Sequence, residues 1–75
     1  METAKVKALI EAGLPEAGVE VTGDGRHFEA HVVSPAFEGK SLIQRHRMVM
    51  DTVRAAIASD ELHALSIRTG LPGEE

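Results

Sequence analysis

Residues 19–33 read VEVTGDGRHFEAHVV, and this stretch decides the fold. Val19–Thr22 alternates polar and apolar residues and is rich in β-branched side chains, which is typical of a strand. Gly23-Asp24-Gly25 predicts a tight turn, because these residue types tolerate positive φ. His27–Val33 alternates again, with Phe28, Ala30 and Val32 on one face. The stretch therefore predicts a β-hairpin with one buried face and one wetter face.

A helix is predicted before the hairpin. Apolar residues recur there at helical spacing, at Val6, Leu9 and Ile10. This spacing predicts a helix from about Thr3 to Ala12, with Thr3 as its N-cap. Gly13 is expected to end the helix in a left-handed conformation.

The main helix is predicted after the hairpin and a short turn at Pro35 to Phe37. Ser41 and Gln44 form a capping-box pattern, which marks a helix start. An apolar stripe follows at helical spacing, through Leu42, Val49, Val53, Ala56 and Ile57. We expect one helix from about Ser41 to Ala58.

A third strand is predicted over His63–Thr69, where apolar and polar residues alternate again. A strand, a helix and a further strand suggest a right-handed crossover, which makes the second and third strands parallel. The predicted fold is α/β, in the order α-β-β-α-β. Its three-stranded mixed sheet carries the helices on one face, in a single domain over residues 1–75.

Composition restricts the function. The chain has 75 residues, no cysteine and a formal net charge of −4. Without cysteine it supplies no thiolate, so iron–sulfur or thiol chemistry needs a partner. The negative charge, with no Trp or Tyr and only two Phe, argues against nonspecific nucleic-acid binding and base stacking. The sequence shows no secretory signal and no apolar run long enough for a bilayer, so we expect a cytoplasmic protein without membrane contact.

Two histidines are the candidate metal ligands. If the second and third strands are parallel neighbours, His27 and His63 begin at the same end of the sheet. A neutral imidazole can ligate iron in mixed Cys/His clusters. The alternative is that each histidine is satisfied by backbone or water. A weak divalent-metal site that adds His31 to this pair is a further alternative.

Basic residues gather at the start of the main helix. Lys40, Arg45 and Arg47 offer positive charge to a partner protein or to phosphates, and Arg54 follows on the same helix. The alternative is a solvated helix start in which His46 packs. No triad or carboxylate pair stands in a pocket-forming context, so an enzyme is not expected.

Four spaced blocks of the sequence resemble the BolA-like family. They cover most of the chain, from about Val19 to Pro72, and resemble its short-loop bacterial members. The blocks are Gly23-Asp24-Gly25-x-His27-Phe28, Val33-Ser34-x-x-Phe37-x-Gly39-Lys40, Gln44-Arg45-His46-Arg47-x-Val49 and His63-Ala64-Leu65-Ser66-Ile67.

The resemblance implies a class II KH-like fold and a monothiol glutaredoxin of the CGFS type as partner. It further implies a [2Fe-2S] cluster shared with the glutaredoxin cysteine and glutathione, with no cofactor in the chain alone. His63 matches the family's recurring ligand. Many members carry a second ligand in a longer loop between the first two strands. In this chain that loop is only Thr22–Arg26, and His27 is the nearest substitute for the second ligand.

The family is also linked to transcription control. That link implies possible DNA contacts through Lys40, Arg45, Arg47 and Arg54. A KH domain proper grips the nucleic-acid backbone with a Gly-x-x-Gly loop. Residues 39–42 read GKSL and lack the second glycine.

Overall fold

The structure, a computed structural model, describes residues 1–74. Its elements are helix α1 (Thr3–Gly13), strands β1 (Gly18–Gly23) and β2 (His27–Val33), a 3-10 turn (Pro35–Phe37), helices α2 (Leu42–Thr52) and α3 (Arg54–Ala58), and strand β3 (Ala64–Gly70). The predicted α/β class and order are confirmed, with the main helix divided into α2 and α3. None of the helices within residues 1–74 is long and apolar enough to cross a membrane.

The three strands form one mixed sheet in the order β1-β2-β3. β1 and β2 pair antiparallel, with Val19 opposite Val32 and Gly23 opposite Phe28. β2 and β3 pair in parallel, as the crossover predicts, with His27 opposite Ala64. The hairpin turns at Gly25, whose φ of 96° lies in the left-handed region that favours glycine.

The helices cover one face of the sheet. Phe28, Ala30 and Val32 point from β2 into the core with at most 2% of their surface exposed. The other residues of β2 lie on the opposite, bare face of the sheet, where they are exposed or half-buried. The remaining buried apolar residues complete this core: Val6, Ile10, Val19, Phe37, Val49, Val53, Ala56 and Leu62. The predicted buried and wetter faces of the hairpin are therefore confirmed.

The single helix predicted over residues 41–58 is interrupted at Val53. There φ is −115° and ψ is 9°, outside the helical region, and the Val53 N–H bonds to the Met50 carbonyl at 3.1 Å. Val53 and Ala56 are both buried, with 1% and 6% exposure. Both residues therefore remain on the core side of the helical segment, although the helix is interrupted between α2 and α3.

Leu42 does not belong to the buried stripe, although it lies on the same helical face as Val49. Its side chain is 64% exposed, whereas Val49 is fully buried. Because two helical turns separate these residues, the first part of α2 extends past the core. The apolar stripe predicted for this helix is therefore buried at Val49, Val53 and Ala56 but not at Leu42.

The predicted limits of the first helix agree with the observed Thr3–Gly13 to within one residue, but the capping roles predicted for Thr3 and Gly13 were wrong. Glu2, not Thr3, occupies the N-cap position, and it makes no side-chain capping bond. Gly13 is still helical, and the chain leaves the helix at Leu14 with φ of −132°. Gly13 is required for a different reason, because a Cβ there would lie 2.5 Å from Cγ2 of Thr52 on α2.

Candidate functional site

The hairpin turn fixes the position of His27, one of the two predicted metal ligands. Oδ1 of Asp24 accepts hydrogen bonds from the backbone N–H groups of Arg26 and His27, both at 2.9 Å. The Asp24 N–H donates to the His27 carbonyl at 3.2 Å. Asp24 thus holds the His27 backbone from both sides, at the first residue of β2.

A short bonded loop fixes the position of His63. Leu62, immediately before it, is buried with 1% exposure, and its N–H bonds to the Ala56 carbonyl at 3.1 Å. Nζ of Lys5 on α1 bonds to Oε2 of Glu61 at 2.8 Å. Ala64, immediately after it, begins β3. His63 is itself exposed, between a buried anchor and a strand.

The two histidines lie at the same end of the sheet. His27 is the register partner of Ala64, the residue that follows His63. Both histidines line one open concavity of about 470 Å³, together with Asp24 and Arg26. Within residues 1–74, neither histidine side chain makes a hydrogen bond. The prediction that both histidines lie at the same end of the sheet is confirmed.

Arg26 is a residue of this site that the sequence reasoning missed. It lines the same concavity, and its guanidinium makes no ion pair within the described residues. Its backbone N–H, by contrast, is held by Asp24 at 2.9 Å. The signal was available, since Arg26 directly precedes His27 in a turn already placed beside the histidine pair.

Two exposed carboxylates beside the histidines are held in their charged form. The backbone N–H of His27, and then that of Arg26, lowers the pKa of Asp24 below its ordinary value of 3.8. The hydrogen bond from Lys5 is the main cause that lowers the pKa of Glu61. At neutral pH both carboxylates are therefore ionised, and both support the two segments that carry the histidines.

His31 does not join the pair. It lies four residues along β2, opposite Glu20 and Arg68, and lines two other concavities of the bare sheet face. Residues 1–74 contain no group of three or more His, Cys, Asp or Glu side chains that could hold a metal ion. Two histidines fill only two of the four positions of a tetrahedral metal, so a metal group bound here needs ligands from another molecule.

The cations of the main helix belong to a separate surface. Lys40 and Arg47 line a second concavity with Asp51, and neither lines that of the histidines. Arg45 is half-buried, and its Nε donates to the Lys40 carbonyl at 3.1 Å. Arg54 forms an ion pair with Asp51. The partner and nucleic-acid contacts predicted for these four residues stay predictions, on a surface distinct from the histidine concavity.

Exposed apolar side chains accompany these cations. Leu42 is 64% exposed and Ile43 is 69% exposed, on the first turn of α2. A capping box fixes this turn, because Ser41 and Gln44 exchange hydrogen bonds of 2.8 and 3.2 Å. Neighbouring exposed apolar residues with a polar rim are typical of a protein contact.

Known proteins share this sequence and architecture. The family model described as BolA-like protein matches residues 6–74. The chain is 31% identical over 74 residues to "Acid stress protein IbaG" of Escherichia coli, covering 99% of this chain and 88% of that protein. A bolA protein homologue from Coxiella burnetii has a TM-score of 0.89 at 44% identity, covering 99% and 95% of the two chains.

A plant domain has the same architecture. The BolA domain of SufE1 from Arabidopsis thaliana superposes with a TM-score of 0.82 at 33% identity, over 97% of this chain and 94% of that one. The family model spans nearly all of the described residues, including the hairpin turn, the cation-bearing helix and the His63 segment. The chain therefore belongs to the BolA-like family.

Proposed function

We propose that this chain is a non-enzymatic adaptor that pairs with a monothiol glutaredoxin to bind and pass on a [2Fe-2S] cluster. One observation carries the proposal: His27 and His63 line a single exposed concavity in a chain without cysteine. The cluster is the cargo of the pair. In this proposal the chain catalyses no reaction of its own and works in the cytoplasm.

The donor set of the concavity suits a shared cluster. [2Fe-2S] centres with two histidines and two cysteine thiolates are known, in which the histidines ligate one of the two irons. His63 serves as a ligand in this proposal, and His27 is the second ligand on the same side. The glutaredoxin cysteine and the glutathione thiol supply the sulfur ligands that this chain lacks. The absence of a three-ligand metal group within residues 1–74 agrees with a cluster held between two proteins.

Arg26 adds a charged contact at the same place. Its guanidinium lines the histidine concavity and makes no ion pair within residues 1–74. Glutathione is an anion, and a guanidinium can bind a carboxylate through two parallel hydrogen bonds. We therefore assign the glutathione contact to Arg26. Lys40, Arg45 and Arg47 contact the glutaredoxin itself in this proposal, beside the exposed Leu42 and Ile43.

Reconstitution with a monothiol glutaredoxin, glutathione, ferrous iron and sulfide tests the proposal. The visible circular dichroism of the glutaredoxin cluster should change when the wild-type chain is added. The His63→Ala variant should lose this change and weaken binding of the cluster-loaded glutaredoxin by at least about tenfold, because even outer-shell changes cost metal sites that much. His27→Ala should give a smaller change in the same direction.

The control is His31→Ala, since His31 lies on the same strand but lines other concavities. It should leave the spectrum and the affinity unchanged. An unchanged spectrum with His63→Ala would rule out the ligand assignment. Equal affinity for glutaredoxin with and without cluster would rule out a role for the cluster in the pairing.

A further inference from the structure

We propose that the free edge of β3 pairs with β3 of a second copy of this chain, which joins the two sheets into one of six strands. Such pairing does not depend on the proposed function, because it uses the outer edge of the sheet. β3 forms that edge, since it lies at the end of the order β1-β2-β3.

The backbone of β3 is satisfied on one side only. Within residues 1–74 it bonds to β2 along the parallel ladder, and the Gly70 carbonyl accepts a bond from Ser34 N–H at 3.1 Å. The outward N–H and C=O groups of a strand at a sheet edge are a template for another strand. β3 has seven residues and contains no proline or lysine to block such pairing.

The apolar face of the sheet is incompletely covered at this edge. Leu65 and Ile67 lie beside Phe28 and Ala30 in the β2–β3 register. Phe28 and Ala30 are each 2% exposed, whereas Leu65 and Ile67 are only half-buried. A further strand beside β3 would cover the outer flanks of Leu65 and Ile67, and this gain favours pairing.

The sequence of β3 is complementary to itself. An antiparallel pair with its two-fold axis at Ile67 aligns all seven residues of both copies and keeps the apolar side chains on one face. Ile67 then faces Ile67 of the second copy, and Leu65 faces Thr69. Arg68 faces Ser66, so no like charges are directly opposed. If the two-fold axis lies at Arg68 instead, the two Arg68 side chains oppose each other. A one-residue slip of the strand register is excluded, because it would pair side chains that point to opposite faces of the sheet.

β1, the other edge of the sheet, is the weaker candidate. It has six residues, begins at Gly18 and ends at Gly23, and glycine is disfavoured in paired strands. α1 packs along it, and Lys7 and Glu11 share a concavity with Gly18. The second copy is therefore expected at β3.

Ser66→Lys tests the pairing, with Thr22→Lys as matched control. Both positions are exposed on the bare sheet face, and both flank Glu29, but they lie on opposite edges. Sedimentation and backbone amide shifts are followed as the concentration is raised to about one millimolar, because so narrow an interface gives weak association. The wild type should dimerise, with shifts concentrated in Ala64–Gly70.

Ser66→Lys should weaken the dimer at least about tenfold, since each new lysine faces an arginine of the other copy. Thr22→Lys should leave the dimer unchanged, and adding Arg68→Glu to Ser66→Lys should restore it. A wild type that stays monomeric at the highest concentration overturns the proposal. So does an equal effect of the two lysine variants. Neither result bears on the glutaredoxin experiment, which measures a spectrum and a different partner.

Discussion

Gly13→Ala is expected to destabilise this protein, although the same change stabilises most helices. Gly13 is the last residue of α1, and a Cβ there would lie 2.5 Å from Cγ2 and 3.0 Å from Cβ of Thr52. Thr52 cannot easily turn away. Its Oγ1 donates to the Val49 carbonyl at 2.6 Å, and rotation about its first side-chain bond breaks that hydrogen bond.

The magnitude follows from two opposing effects. Alanine gains up to about 1 kcal/mol over glycine in a helix. An extra methyl group in a closed contact costs about 1–3 kcal/mol, and the loss of the Thr52 hydrogen bond adds about 1 kcal/mol where the side chain rotates. We expect a net loss of about 1–2 kcal/mol. For a chain of this length each kcal/mol lowers the Tm by about 4–8 °C.

Thermal unfolding and urea titration of four variants decide the question. Gly18→Ala is the control, because a Cβ at Gly18 meets nothing within 4 Å, and it should change stability by less than about 0.5 kcal/mol. Thr52→Ser removes Cγ2 and keeps the hydroxyl. Gly13→Ala should therefore cost about 1 kcal/mol less in the Thr52→Ser background, as a double-mutant cycle measures. A Tm raised by Gly13→Ala alone would refute the packing argument.

Two further predictions concern polar groups that organise local structure. Ser41→Ala removes one half of the capping box and should lower the free energy of unfolding in urea by about 1 kcal/mol. The control is Ser66→Ala, on the bare face of the sheet, which should lower it by less than about 0.5 kcal/mol. Equal losses of stability in the two variants would contradict the capping role. Asp24→Asn should lower stability at neutral pH, where the wild-type carboxylate is ionised. Since folding lowers the pKa of Asp24, its contribution is present above the ordinary value of 3.8 and is lost as the pH falls through the folded value. The urea midpoints of the wild type and of Asp24→Asn, measured at neutral and at strongly acidic pH, check this prediction. A difference between the two midpoints that stays constant with pH would contradict it.

The hairpin was predictable because its determinants are local. Period-two alternation in Val19–Thr22 and His27–Val33, with an Asp-Gly turn between them, specifies both the strands and their buried face. The parallel pairing of β3 then followed from the helical segment between β2 and β3, because a connection of that kind returns the chain to the same end of the sheet. Local pattern failed where tertiary contacts decide: Gly13 is glycine because Thr52 packs on it, and Leu42 is exposed because α2 extends past the sheet.

The site was partly predictable for the same reason. That His27 and His63 lie at the same end of the sheet depends on strand connectivity, which the sequence pattern reveals. That Arg26 shares their concavity, while Lys40 and Arg47 line another, depends on where loops place side chains.

The groups that support the histidine concavity are separate from the imidazoles that line it. Asp24 holds the His27 backbone, whereas buried Leu62 and the Lys5–Glu61 bond hold the segment of His63. Neither support uses an imidazole nitrogen, so the rings need not break hydrogen bonds within residues 1–74 before they bind a ligand. Binding to a preformed site loses less conformational entropy than binding to a loop that must be ordered. The tight hairpin turn thus keeps His27 at a strand start, where the sheet fixes it relative to His63.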